Sequence, residues 1–186
     1  SLRLLRRHFG RVYVNFGAPL PLSDWLDAQR PDWRVAPPTG EAQRALVAAI
    51  ATELSGRIGA AALVNPVNLV ALALLATPEV SAEESVLARQ IEHLAALVAD
   101  AHLAAPSRGE DCIATALRLA AVRRSETADG ARIVADAMEA ALLAYFRNNV
   151  LHLFVLPALI ARLLIDRGAF ADSRWPAALE AMLAPL

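Results

Sequence analysis

Residues 61–78 read AALVNPVNLVALALLATP, an apolar stretch that carries no charged side chain. Asn65 followed by Pro66 predicts the start of a helix, because asparagine caps a helix N-terminus and proline fits its first position. The uncharged run spans residues 58–78, and about 20 apolar residues are needed to cross a bilayer. Asn65 and Asn68 would be costly near the bilayer centre, and the cap shortens the helix. We therefore favour a short helix over a spanning one, and whether residues 58–78 contact lipid or protein stays open.

A helical pattern continues along the rest of the chain, which is rich in alanine and leucine. Ser81 and Glu84 fit a capping box, which predicts a helix over residues 81–103. Gly130 lies in a predicted polar connection. Further helices are predicted over residues 41–57, 110–122 and 136–166, with a short final helix from Pro176. The pattern indicates a mainly α fold, with about six to eight helices over residues 41–186.

The start of the chain has a different pattern. Residues 11–16 read RVYVNF, with Val12, Val14 and Phe16 at every second position. This period of two predicts one short β-strand, and a lone strand needs a neighbour to pair with. We therefore expect the strand to complete an α/β domain upstream of Ser1, which is not a methionine and so indicates a fragment.

A proline-rich segment separates this strand from the helical part. Residues 31–40 contain three prolines and Gly40, and this composition is typical of a linker. The predicted organisation has three parts: the truncated end of the upstream domain at 1–30, the linker at 31–40, and a C-terminal helical domain at 41–186.

The composition limits the classes of partner. The chain is 56% hydrophobic, above the roughly 45–50% usual for a soluble domain, so we expect a partner domain or a membrane. All 18 basic residues are arginine and the net charge is −1, so no overall basic field exists to attract nucleic acid. The single Cys112 excludes an intramolecular disulfide, and we expect it to be a small core residue.

Three segments resemble, in order and spacing, the C-terminal portion of bacterial glycerol-3-phosphate acyltransferases of the large, membrane-bound type. They are RVYVNFGAPLPL at residues 11–22, the stretch at 61–78, and YFRNNVLHLFVLPALIA at 145–161. The resemblance implies that the upstream domain is an acyltransferase domain. It would transfer a fatty acyl group from acyl-CoA or acyl carrier protein to glycerol 3-phosphate, without a further cofactor. It also implies a general-base histidine in a His-x-x-x-x-Asp box and a Pro-Glu-Gly block that holds the phosphate.

Neither motif occurs in this sequence. The residues five positions after the four histidines, His8, His93, His102 and His152, are Tyr13, Val98, Ser107 and Pro157. We therefore expect no catalytic residue in this segment, and we expect the segment alone to be inactive. Its expected role is structural and membrane-positioning, at the cytoplasmic face of a bacterial inner membrane. The alternative is a free-standing helical interaction or membrane-surface module.

One cluster of polar residues is the candidate site. Tyr145, Asn148, Asn149 and His152 have the spacing that places residues on one side of a helix, and Arg147 is available to an anion. The functional interpretation is a polar face that meets the acyltransferase domain or borders its cleft. The structural interpretation is a buried, satisfied network that joins helices. His152 lacks partners for a metal site.

The last apolar run, residues 148–161, is too short to span a bilayer, so we expect a buried or interfacial helix there. Whether it contacts lipid or protein stays open, as for residues 58–78.

Overall fold

The computed structural model describes residues 11–104, 108–128 and 130–167, and the chain divides into two compact units. The first unit is Tyr13–Ala62, and the second comprises Ser1–Val12 together with Leu63–Leu186. Seven α-helices and one three-stranded sheet form in the described part, so the mainly α fold is confirmed. The predicted domain limits at residues 30 and 40 stay a prediction.

The first unit contains two helices, α1 at Leu22–Gln29 and α2 at Gly40–Ala60. Helix α2 confirms the helix predicted over residues 41–57. It begins at Gly40, whose φ of 60° is a conformation that glycine adopts without strain. The Pro-rich residues before it form a turn that is stabilised when the Trp33 indole N–H donates to the Asp27 carboxylate at 2.7 Å.

The extended residues 15–19 lie against the C-terminal end of α2. The Asn15 side-chain amide donates to the Ala61 carbonyl at 3.1 Å, and the Arg57 guanidinium donates to the carbonyls of Ala18 and Pro19 at 3.2 and 2.6 Å. A Cβ at Gly17 would lie 2.7 Å from the Arg57 carbonyl oxygen, so only glycine allows this close approach. We call residues 15–19 the strap.

The strand predicted at residues 11–16 does not form within this chain, where the segment has neither helix nor strand. No neighbouring strand offers backbone groups to it among the residues that the structure describes, and the strap is bound to α2 through side chains instead. Pairing with a sheet outside the chain stays a prediction.

The second unit is built around helix α3 at Pro66–Leu74, which is buried on nearly all sides. Its predicted start is confirmed. The Asn65 side chain accepts from the backbone N–H groups of Val67 and Asn68, in a complete capping box. Three helices pack around α3: α4 at Glu84–Ala96, α5 at Gly109–Arg118 and α6 at Ala137–Val150. The largest fully buried side chains of the second unit include Leu69, Leu74, Leu87, Ile91, Ile113, Ile133 and Leu143.

One buried polar residue joins two of these helices. Asn68 is 2% exposed, its side-chain amide donates to the Phe146 carbonyl on α6 at 2.7 Å, and its side-chain oxygen accepts from the Asn65 N–H at 2.8 Å. Because Phe146 lies within α6, this bond helps to set the position of α6 along the axis of α3.

A small antiparallel sheet packs against helix α4. Strands β1 at Ser81–Glu83, β2 at Arg123–Thr127 and β3 at Gly130–Val134 lie in the order β1-β3-β2. Ala82 pairs with Ile133, and both side chains are buried. Arg123 forms ion pairs with Asp136 and Glu139 at 3.1 and 2.9 Å, and Arg124 forms one with Glu84.

The sheet corrects several helix predictions. Ser81 lies in β1 rather than capping a helix, so α4 begins at Glu84 and ends at Ala96 instead of running over residues 81–103. The connection through Gly130 is a hairpin, because burial of Ile133 and pairing with β1 outweigh the polarity of β2. Helix α5 ends at Arg118 rather than at residue 122, and Ala120 follows with a φ of 53°.

The helix predicted over residues 136–166 is broken. Helix α6 ends at Val150, a 3₁₀ turn covers Leu151–Leu153, and helix α7 spans Val155–Arg167. Pro157 has no N–H to donate to the Leu153 carbonyl and its ring would clash with that carbonyl in a continuous helix, so the chain bends before it. The bend is 75°. Two further 3₁₀ turns cover Pro78–Val80 and Asp100–His102. The helix predicted from Pro176 lies outside the described residues.

None of the described helices is by itself long and apolar enough to cross a membrane. The bent pair Ala137–Leu153 and Val155–Leu163 meets the criteria of length and composition when its two parts are taken together.

Replacing Asn68 with alanine tests the bond between α3 and α6. We expect Asn68→Ala to lower the free energy of unfolding by about 1–3 kcal/mol, because the Phe146 carbonyl and the Asn65 N–H each lose a hydrogen-bond partner. The measurement is urea denaturation followed by circular dichroism. The control is Asn149→Ala in the same 186-residue chain, where Asn149 is exposed on α6; it should change stability by less than about 0.5 kcal/mol. Equal effects of the two substitutions would show that the buried bond contributes nothing specific.

Candidate functional site

The predicted polar residues lie together at the end of α6 and in the turn that follows. We call Tyr145, Arg147, Asn148, Asn149 and His152 the polar face. Tyr145 is 65% exposed, Asn148, Asn149 and His152 are also exposed, and Arg147 is half-buried. On the other side of the same segment, the core side chains are Leu143, Val150 and Phe154. Four of the five side chains of the polar face are therefore exposed in this chain, and the interpretations as a domain contact and as a buried network both stay predictions.

Arg147 is oriented by its neighbour. Its Nε and one terminal nitrogen donate to the Asn148 side-chain oxygen at 3.2 and 3.1 Å. A guanidinium carries five N–H donors, so two such bonds do not exhaust its capacity to bind a carboxylate or phosphate.

Contacts with the core fix the position of the polar face. Phe146 lies between Tyr145 and Arg147 in the sequence, and its carbonyl accepts the bond from Asn68. The ring of Tyr145 lies edge-on to the ring of Phe146, with centroids 6.0 Å apart. These contacts connect the exposed face to α3 and give it a defined position on the second unit.

The titratable side chains of the described residues do not form a metal site. Within residues 11–104, 108–128 and 130–167, no group of three or more His, Cys, Asp or Glu side chains lies close enough to hold a metal ion. His93 is exposed on α4, and the neighbouring Glu92 accepts from the Gly109 N–H at 3.2 Å. The polar face itself contains one histidine and no carboxylate.

Cys112 is 1% exposed on α5, as expected for a core residue. Burial raises the pKa of its thiol to about 11, and the charges of Asp111 and Glu92 add to the effect. At neutral pH the thiol is protonated, and a protonated buried thiol is a poor nucleophile.

Two features were missed by reasoning from the sequence. The first is the role of Asn68, for which the available signal is an amide at the third position of a capped, otherwise apolar helix. The second is the strap, in which Asn15, Gly17 and Arg57 are far apart in sequence. The close approach at Gly17 depends on the tertiary arrangement, and no local pattern predicts it.

Comparison with known proteins gives a consistent result. The family profile described as "Glycerol-3-phosphate acyltransferase C-terminal region" matches residues 1–180. A glycerol-3-phosphate acyltransferase of Pseudomonas fluorescens (strain SBW25) is 38% identical over 170 residues, which cover 84% of this chain and 20% of that protein. The enzyme of the same name from Ectopseudomonas mendocina is 37% identical over 169 residues, covering 86% of this chain. The chain spans about 20% of the length of these relatives.

The environment of Cys112 predicts slow alkylation. With a thiol pKa of about 11, about one molecule in a thousand is ionised at pH 8, so we expect native Cys112 to react with iodoacetamide about a hundredfold more slowly than a free cysteine. The rate should rise as the pH approaches 11, since more thiolate forms. Mass spectrometry measures the rate, and the urea-unfolded chain is the control because Cys112 is its single cysteine. Equal native and unfolded rates would contradict the buried position.

Proposed function

The chain belongs to the family of glycerol-3-phosphate acyltransferase C-terminal regions, and from this premise we propose that it is the non-catalytic C-terminal part of such an enzyme. The whole enzyme would transfer a fatty acyl group from acyl-CoA or acyl carrier protein to glycerol 3-phosphate, giving lysophosphatidic acid for phospholipid synthesis. The observation that carries the proposal is the family match over residues 1–180. It is consistent with a C-terminal part, because the chain covers only 20% of a similar acyltransferase.

The residues of this chain support a non-catalytic role. Acyl transfer to a hydroxyl group requires a base that accepts its proton, and a carboxylate commonly orients that base. No histidine here is followed by aspartate at the fifth position. The base and the phosphate-binding groups would therefore belong to an upstream acyltransferase domain, with which this segment packs.

The polar face is the proposed contact with that domain or with the border of its cleft. Its support is the exposure of Tyr145, Asn148 and Asn149 together with their fixed position over the Asn68 bond. Polar side chains with fixed positions on a folded surface lose little conformational entropy when a partner binds.

We place the enzyme at the cytoplasmic face of a bacterial inner membrane, in peripheral or interfacial contact. The product carries a fatty chain and must partition into lipid. The apolar composition of the bent pair α6 and α7, with Leu156 47% and Ile165 78% exposed, supports such contact.

The test of the proposal is an acyltransferase assay with labelled glycerol 3-phosphate and palmitoyl-CoA. It compares this chain with the same chain extended upstream through a His-x-x-x-x-Asp box. We expect activity only in the extended chain, because only that chain contains a base. Activity in the short chain would contradict the non-catalytic role. If neither chain is active and the extended one is folded, the free-standing helical module becomes the better interpretation.

The polar face is tested in the extended chain. We expect Asn149→Ala or Arg147→Ala to lower the yield of folded protein more than it changes the preference between acyl donors, because a contact between domains is lost. Thermal unfolding and parallel assays with both donors measure the two effects. Gln90→Ala removes an exposed amide from α4 and serves as the matched control. A selective loss of activity at unchanged stability would instead place these residues at the substrate cleft.

A further inference from the structure

Helix α2 is long but buries none of its 21 side chains. Leu26 on α1 is the one buried residue in the first unit, Tyr13–Ala62. Most helical stability in proteins comes from packing of an apolar face rather than from intrinsic propensity. The first unit therefore has almost no core of its own, and its apolar side chains need a partner.

Helix α2 has two neighbouring faces with different environments. The face that contains Leu46, Ile50, Glu53 and Arg57 is half-buried, and Arg57 on this face binds the strap. A second face, which contains Val47, Ala51, Leu54 and Ile58, is exposed along its whole length. Val47, Leu54 and Ile58 are 58%, 42% and 72% exposed. Spacings of four, three and four are those of residues that meet a partner along one side of a helix.

The segment that leads into the strap carries further exposed apolar side chains. Val14 and Phe16 are 70% and 86% exposed, and they alternate with Asn15, whose side chain is bound to Ala61 at the end of α2. The bond from Asn15 thus anchors the backbone on either side of it, which carries Val14 and Phe16, at the end of α2. We call Val14, Phe16, Val47, Ala51, Leu54 and Ile58 the docking surface.

We propose that the docking surface binds the acyltransferase domain that lies upstream in the same polypeptide, an inference that rests on the proposed function. The matched family is a C-terminal region, and the chain covers 20% of its relatives, so most of each relative lies outside the matched part. In a full-length chain of this family, that remaining part would be a large partner tethered to this segment. A tethered partner has a high effective concentration, so it is favoured over a free one.

The charges of α2 do not favour a lipid surface as the occupant. Helices that lie on membranes carry an excess of Lys and Arg on the polar face. Helix α2 has two acids, Glu41 and Glu53, and two arginines, Arg44 and Arg57. Its charge is balanced, and Arg57 is paired with Glu53 at 2.7 Å. The docking surface itself carries no charged side chain, as is common at the centre of protein–protein contacts.

The first experiment measures accessibility in the extended, full-length chain. Leu54→Cys and Ile58→Cys place thiols on the docking surface, and Ala49→Cys places one on the far side of the same helix, where Ala49 is exposed. We expect the first two thiols to react with a water-soluble maleimide about tenfold more slowly than the control, because a residue at a closed contact reacts only when the contact opens. Equal rates for all three thiols would overturn the proposal.

The second experiment identifies the partner. A photoreactive p-benzoylphenylalanine replaces Ser55, which is exposed and lies at the edge of the docking surface, so the central contact stays intact. Peptide mapping after irradiation should show cross-links within one polypeptide to residues upstream of this chain. Cross-links to a second copy, to lipid, or to residues 63–167, or no cross-link at all, would overturn the proposal.

Acyl transfer is measured in the same preparation, which separates this inference from the proposed function. Acyl transfer without upstream cross-links would support the proposed enzymatic function and contradict the proposed role of the docking surface. Upstream cross-links in a folded preparation without transfer support docking to an upstream domain and remove the proposed activity.

Discussion

The second unit depends on one buried amide. Among the described residues, Asn68 is the one polar side chain in the apolar core of that unit. A buried amide is costly unless its donor and acceptor are both satisfied, and Asn68 meets this condition only when α6 presents the Phe146 carbonyl and Asn65 turns back to cap α3. Hydrophobic packing alone tolerates several relative positions of two helices. The amide favours the position in which it donates to the Phe146 carbonyl.

The same constraint links the core to the surface. The residue that accepts the Asn68 bond lies between two residues of the polar face, so a shift of α6 along α3 would move the face as a whole. Rigidity of this kind is useful for a segment whose proposed task is to meet a neighbouring domain, since a surface that is already ordered loses less entropy on association. The first unit uses side-chain bonds for a similar purpose, with Asn15 and Arg57 holding the strap on α2.

Local signals in the sequence predicted the helical part well. Asn65 with Pro66 is a cap whose partners lie within three residues, and the helix starts where this pair indicates. The helix predicted from residue 136 begins at Ala137. The failures involve distant partners. Ser81 and Glu84 fit a capping box, but Ser81 pairs with Val134 more than fifty positions away, and that pairing decides its conformation. The polar face was predicted as a set by helical spacing, whereas its exposure depends on which side of α6 meets α3. The position of Pro157 contained the signal for the bend, since a proline in the first turn marks a new helix rather than the continuation of an old one.

Strand β2 lies at an edge of the sheet, and all five of its residues are exposed. An open edge is a template on which strands of other molecules can add, and proteins commonly protect such edges with charge. Here Arg123 and Arg124 are placed on that edge. Arg123 is paired with Glu139 of α6 and with Asp136 just before it, and Arg124 is paired with Glu84 of α4. An incoming strand would have to displace these ion pairs and desolvate the guanidinium groups. These ion pairs therefore disfavour the addition of a fourth strand at β2. For a chain that is 56% hydrophobic, the charged edge opposes aggregation through strand pairing.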